Sequence, residues 1–380
     1  MPGHENPMFP GVASKAGDHP NPGFLARSGS PAMPFHSLGE NEFMPDTRER
    51  GSGWGRVDVR PPADPSGRNP GIPLDMDRVG TIRLNRSALE RRATTLGTRR
   101  SVKKEWQAAW LLRALTLMDL TTLSGDDTPG TVRRLCAKAR NPLRPDLLDG
   151  LEVRELTPTV AAVCVYHSFV AVAVESLEGS SIPVAAVSTA FPHGLAPLST
   201  RLAEIRASVE AGAREIDVVI NRMHVLTGDW EALYDEVRAF RDACGEAHLK
   251  TILATGELAT LTNVARASAV CMMAGSDFIK TSTGKETENA TLPVGLAMVR
   301  QIRAYAEGTG HRVGFKPAGG IRTARQALTW LILMKEELGD AWLTPELFRF
   351  GASSLLGDLE RQLEHHLTGR YSAFHRHPMA

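Results

Sequence analysis

Asp277-Phe278-Ile279-Lys280-Thr281-Ser282-Thr283-Gly284-Lys285 and Val313-Gly314-Phe315-Lys316-Pro317-Ala318-Gly319-Gly320-Ile321-Arg322-Thr323 share one design. Each is a short apolar run that ends in a lysine and is followed by small residues and glycine. Lysine is rarely buried, because taking an ammonium group out of water is expensive. Two lysines directed into one cavity repel each other, and one of them loses its proton more readily. A neutral amine is what Schiff-base chemistry needs. Taken singly, either lysine reads first as a solvated residue at a strand end, since most lysines are exposed.

Working outward, short β-branched runs alternate with longer amphipathic stretches, the pattern of βα units on a parallel sheet. Strands are predicted at Leu115–Leu120, Val160–Tyr166, Val184–Ser188, Glu215–Asn221, Leu249–Ala254, Asp277–Thr281, Val313–Pro317 and Phe348–Gly351. Helices with an apolar stripe are predicted at 201–212, 229–246, 258–274, 291–308 and 323–338. Eight such strands fit an α/β TIM (β/α)8 barrel over 114–367. A doubly wound open sheet is the alternative, but no Gly-x-Gly-x-x-Gly follows the first strand. Residues 87–113 read as a leading helical segment that Gly97 divides. Residues 1 to about 80 are dense in Pro, Gly, Ser and Asn without a sustained period, and read as a disordered extension. Residues 368–380 read as a tail.

In such a barrel the chemistry sits at the C-terminal ends of the strands. Asp119, Cys164, Tyr166, Asp217, Lys250, Lys280 and Lys316 all fall at or near those ends. Side chains alternate faces along a strand, so Asp217 shares a face with Val219, Lys250 with Ile252, and Lys280 with Phe278. With those faces inward the cavity holds three lysines and two aspartates. A satisfied buried ion network without chemistry fits the same pattern. Gly284-Lys285, Gly319-Gly320 and Gly351-Ala352-Ser353-Ser354 follow strands six, seven and eight. Glycines let backbone amides approach an anion, and loops seven and eight commonly hold phosphate in this fold. Gly284, Lys285, Gly319, Gly320, Gly351, Ser353 and Ser354 are therefore the candidate phosphate site, with Arg322 as an additional contact.

The strings around the two lysines resemble the deoxyribose-phosphate aldolases, class I aldolases on a TIM barrel, and the resemblance runs from about Leu111 to about Leu367. Asp119-Leu120-Thr121-Thr122-Leu123, Phe191-Pro192-His193-Gly194 and Thr255-Gly256-Glu257-Leu258 also resemble that family. The resemblance implies that Lys280 forms the imine, that Lys316 perturbs its pKa and that Asp217 shuttles protons. Lys250 and Asp119 then support Asp217, and Cys164 resembles a cysteine near the aldehyde pocket. It further implies reversible cleavage of 2-deoxy-D-ribose 5-phosphate to D-glyceraldehyde 3-phosphate and acetaldehyde, in deoxyribose phosphate catabolism. A class I aldolase of other aldehyde preference and a non-catalytic phosphosugar-binding barrel remain open beside it. His193 reads as a loop residue. The chain departs from the family at Tyr166-His167-Ser168 and Ala190, and Tyr371 lies in a tail that continues to Ala380.

The net charge of +1 gives no electrostatic case for nucleic acid or an acidic membrane as partner. No apolar run approaches the roughly 20 residues that cross a bilayer. Cys136, Cys164, Cys244 and Cys271 lack paired spacing and read as reduced thiols of a cytoplasmic protein, not as a zinc site. Neither metal nor cofactor is expected. The expected partners are small phosphosugar and aldehyde substrates, with a homo-oligomer left open.

Overall fold

The structure is a computed structural model that describes residues 67–377. Its core is one sheet of eight parallel strands: β1 (Met118–Thr121), β2 (Ala162–Tyr166), β3 (Val184–Ser188), β4 (Glu215–Val219), β5 (His248–Ile252), β6 (Phe278–Lys280), β7 (Gly314–Lys316) and β8 (Phe350–Ala352). Neighbours in sequence pair in space, and β1 also pairs with β8. The ring closes between β7 and β8 through parallel bridges at Phe315–Phe348 and Ala318–Gly351. The result is the (β/α)8 barrel that the alternating pattern predicts.

The inter-strand segments fold as helices at Leu198–Glu210, Trp230–Cys244, Leu261–Met273, Leu292–Thr309 and Ala324–Leu338, close to the expected ranges. Their starts are written locally. Asp229 and Thr260 accept hydrogen bonds from first-turn amides, and Thr323 with Gln326 forms a capping box. Helices at Pro129–Arg140, Val170–Ser176 and Leu355–Thr368 complete the outer layer.

Three expectations need correction. The first strand starts at Met118 and not Leu115, because helix Lys104–Thr116 runs up to it and buries Leu111, Leu112 and Leu115 as its inner stripe. An apolar run of that length fits strand or helix equally until its neighbours are known. The leading helical segment breaks at residues 100–103 and not at Gly97, which lies inside helix Arg86–Arg99 with open space where a Cβ would be.

The third concerns the extension. Residues 1–66, most of the predicted disordered segment, lie outside the described residues. The remainder, 67–80, belongs to the fold. Asn69 is buried against the outer helices. Its amide donates to Asp277 Oδ1 (2.7 Å), its Nδ2 donates to the carbonyls of Met272 (2.8 Å) and Ser276 (3.0 Å), and its Oδ1 accepts from the Tyr305 hydroxyl (3.0 Å). Gly71 follows at φ +75°, where a Cβ would lie 2.5 Å from the Met273 carbonyl oxygen. One asparagine thus anchors a segment whose composition alone looks unable to pack.

Candidate active site

The register sets the charged side chains beside one another. Asp217 on β4 is level with Lys250 on β5, and Lys280 on β6 is level with Lys316 on β7. Lys280 Nζ lies 2.7 Å from Asp217 Oδ2. Lys316 Nζ lies 2.7 Å from the same oxygen and 2.5 Å from Asp119 Oδ2. Lys250 Nζ is 3.1 Å from Asp119 Oδ2, 3.6 Å from Asp217 Oδ1, and in direct contact with Glu215 Oε2. Lys250 therefore belongs chiefly to Asp119 and Glu215, rather than to Asp217 as the sequence suggests.

Two members of this network were not anticipated. Glu215 stands two residues before Asp217 and so shares its face. Arg349 precedes β8 and lies 2.5 Å from Asp119 Oδ1 and 2.8 Å from Glu215 Oε1. The period-two rule could have found Glu215. Arg349 has no sequence signal, because only closure of the ring brings β8 beside β1.

Lys250, Lys280, Lys316 and Arg349 thus meet Asp119, Glu215 and Asp217 in a buried cluster of four cations and three carboxylates. With every group ionised it carries one excess positive charge, and a proton lost from one lysine neutralises it. A buried net charge is costly, so the arrangement favours that loss. The lysine best placed to lose it is Lys280. Burial, the largest influence, lowers its pKa; Asp217 opposes this and Lys316 adds to it. Lys316 is held the other way, because Asp119 and Asp217 overcome its burial and raise its pKa. Burial alone would raise Asp217, yet Lys280, Lys316 and Lys250 together hold it well below the usual carboxylate range. Burial lowers Lys280 more than its cationic neighbour does, which shifts the weight of the sequence argument from Lys316 to desolvation.

Gly314 and Phe278 floor this layer. A Cβ on Gly314 would lie 2.3 Å from the Phe278 ring, so only glycine lets that ring fill the barrel axis. Lys250 Nζ and the Arg349 guanidinium sit 5.7 Å and 5.8 Å from the ring centroid. On the opposite wall Cys164, Ala185 and Val187 form an apolar patch with Leu123, Tyr166 and Phe191. Burial pushes the Cys164 thiol up, which keeps it protonated and makes it wall rather than nucleophile.

The rim is reached less directly. Gly284, Gly319 and Gly320 adopt φ of +87°, +81° and +82°, and Ser353 and Ser354 stand exposed at the start of helix Leu355–Thr368. Gly351 is different. Its amide donates to the Pro317 carbonyl (2.9 Å) in the ring closure, and a Cβ there would sit 2.7 Å from Ala318 Cβ and 3.3 Å from Lys316 Cε. Its absent side chain makes room for Lys316, so it is no free phosphate donor. Lys285 is exposed, and its Nζ donates to the Leu123 carbonyl (2.9 Å) across the mouth. His193 is exposed beside Arg222, in a loop fixed by Ala190 N donating to Glu204. Arg322 is exposed, and its amide donates to Gln326 at the helix cap. Tyr371 stacks on His365 at a centroid distance of 4.1 Å, beside the last turns of that final helix rather than in the mouth.

Fold and site together define a barrel that buries adjacent lysines beside carboxylates at one mouth. The model of the DeoC/LacD family aldolases matches residues 113–359. The chain belongs to that family. It is 64% identical to the Mus musculus deoxyribose-phosphate aldolase over 82% of this chain and 98% of that protein. It is 62% identical to the Homo sapiens deoxyribose-phosphate aldolase over 83% of this chain and 100% of that protein. Among solved structures, a Toxoplasma gondii ME49 protein superposes with a TM-score of 0.59 at 22% identity, covering 72% of this chain and 99% of that one, a likeness of fold. The aldolase QR15 superposes at 0.51 with 26% identity, covering 67% of this chain and 97% of that one.

Proposed function

We propose that this chain is a deoxyribose-phosphate aldolase, which reversibly cleaves 2-deoxy-D-ribose 5-phosphate to D-glyceraldehyde 3-phosphate and acetaldehyde through a Schiff base on Lys280. The mouse and human relatives, matched over nearly their whole length, support the reaction. The observation that carries the residue assignment is the asymmetry between the lysines. Lys316 is clamped by two carboxylates with its pKa raised, while Lys280 has one carboxylate partner, a lowered pKa and slight exposure at 3%.

The neutral Lys280 amine attacks C1 of the open-chain aldehyde and water leaves, giving a protonated imine. A base removes the C3 hydroxyl proton, the C2–C3 bond breaks, and its electron pair passes into the imine. That leaves an enamine on Lys280 and frees glyceraldehyde 3-phosphate. Protonation at C2 and hydrolysis then release acetaldehyde and restore the amine. The imine nitrogen is itself the electron sink. Asp217, ionised and shared by Lys280 and Lys316, carries protons to and from the substrate through water. Asp119 and Lys250 hold that arrangement, with Glu215 and Arg349 beneath them. The amides of Gly284, Gly319 and Gly320 and the hydroxyls of Ser353 and Ser354 hold the phosphate, in the manner common to this fold. Cys164 lines the apolar wall on the aldehyde side.

Borohydride reduction in the presence of acetaldehyde, followed by peptide mass mapping, tests the assignment. The added mass is expected on Lys280. A label on Lys316 or Lys250, or none, would reject it.

A further inference from the structure

The loop after β6 already holds an anion of its own. The Thr283 amide donates to both oxygens of the Glu286 carboxylate (2.9 and 3.1 Å), and the Gly284 amide donates to Oε2 (3.1 Å). Gly284 itself adopts φ +87°, a left-handed conformation that glycine takes without strain. Successive amides converging on one oxyanion are how backbone commonly holds phosphate. Here the nest is filled from within the chain.

The neighbouring groups keep the turn in the rim. Lys285 N donates to Thr283 Oγ1 (3.1 Å), and its side chain reaches across to Leu123. Asn289 Nδ2 donates to the Glu286 carbonyl (2.9 Å). Asn289 in turn lies so close to Gly319 that a Cβ there would stand 2.6 Å from Asn289 Oδ1. The Glu286 turn therefore abuts the glycine pair of the next loop, where the phosphate group of the substrate is placed.

We propose that Glu286 is a specificity-determining residue whose carboxylate competes with phosphate for the Thr283 and Gly284 amides. The inference rests on the reading above that this rim receives the substrate phosphate. A free inorganic phosphate must displace or sit beside the resident carboxylate with nothing else to hold it. A phosphosugar tethered at its other end to Lys280 does not face that competition alone, because attachment supplies a high effective concentration. The carboxylate thus lowers the site's affinity for any phosphate, a loss that attachment at Lys280 offsets for the phosphosugar and nothing offsets for the free ion.

The test compares the full-length wild type with Glu286→Gln, which keeps the shape without the charge, and Glu286→Ala, which removes the side-chain acceptor. Inorganic phosphate is titrated by thermal shift, and kcat/KM is measured for 2-deoxyribose 5-phosphate and for unphosphorylated 2-deoxyribose. Both variants are expected to bind inorganic phosphate more tightly, by up to about fivefold, the scale of one partly solvated charge interaction. Their preference for the phosphorylated substrate should rise with it. Unchanged or weaker phosphate binding in both variants would overturn the proposal and make Glu286 a loop brace. A wild type that fails to cleave 2-deoxyribose 5-phosphate would refute the functional reading instead, while the phosphate titration still decides the role of Glu286.

Discussion

The division of labour between Lys280 and Lys316 comes from their partners rather than their chemistry. Both are lysines at strand ends and both are buried. A free lysine near pKa 10.4 is neutral about once in 2,500 at pH 7, and lowering that value to 7 takes roughly 4.6 kcal/mol. Burial supplies the largest part at Lys280, whereas at Lys316 two carboxylates outweigh it. Lys280→Arg should abolish both cleavage and reductive trapping, a loss of about a thousandfold or more, because guanidinium stays charged. The melting temperature is the control for folding, and retained cleavage would reject the imine assignment. Lys316→Met leaves Asp217 facing Lys280 without its second cation, so the Lys280 pKa should rise. The reaction needs the neutral amine, hence the acid limb of the kcat/KM profile should move to higher pH, with activity partly recovered under alkaline conditions. A profile that keeps its shape would leave Lys316 with no electrostatic role.

At the scale of elements, strand parity does the positioning. Glu215 and Asp217 alternate with Ile216 and Val218, so one strand serves the ionic interior and the helix-facing core at once. Register then pairs Asp217 with Lys250 and Lys280 with Lys316. Glycine governs the spaces between these side chains. Gly314→Ala would drive a methyl group into the Phe278 ring beneath Lys250 and Arg349. The expected cost is about 1–3 kcal/mol in urea unfolding, the range for overpacking a tight core. An unchanged midpoint would mean that the ring has room to move. The elements also explain the misplaced first strand. Leu111, Leu112 and Leu115 suit either a strand or a helix stripe, and the contacts of helix Lys104–Thr116 with the outer layer settle the choice.

For the whole molecule, the ionic cluster runs from one end of the barrel toward the other. Lys280 faces the C-terminal mouth. Glu215, Arg349 and Phe278 border a separate cavity of about 700 Å³ at the N-terminal end, together with His248 and Arg214. Lys280, Lys316 and Asp217 do not line it. No helix among the described residues is long and apolar enough to cross a membrane. The segment at 67–80 closes the outside of the helical layer through Asn69. A chain beginning at Thr81 should therefore melt several degrees below one beginning at Gly67, since it loses a buried hydrogen-bond set with each bond worth about 1 kcal/mol. Turnover per folded molecule should be equal in the two, because Asn69 touches no member of the ionic cluster. Equal melting temperatures would show that the anchor contributes nothing.

Local sequence determined the alternation of strands and helices, the caps that start the helices, and the placing of Asp119, Asp217 and Lys250 within strands and of Lys280 and Lys316 at strand ends. Those features depend on periodicity and on neighbours a few residues apart, and both can be read along the chain. Tertiary structure alone decided the rest. Arg349 joins Asp119 and Glu215 only because β8 closes against β1. Asn69 becomes a core residue only because helices Leu261–Met273 and Leu292–Thr309 present it with matched donors and acceptors. Gly351 serves Lys316 and not an anion, and Lys285 spends its ammonium on Leu123, for the same reason. A lysine's pKa likewise depends on which carboxylates approach it and how much water is excluded, and neither is a property of its place in the chain.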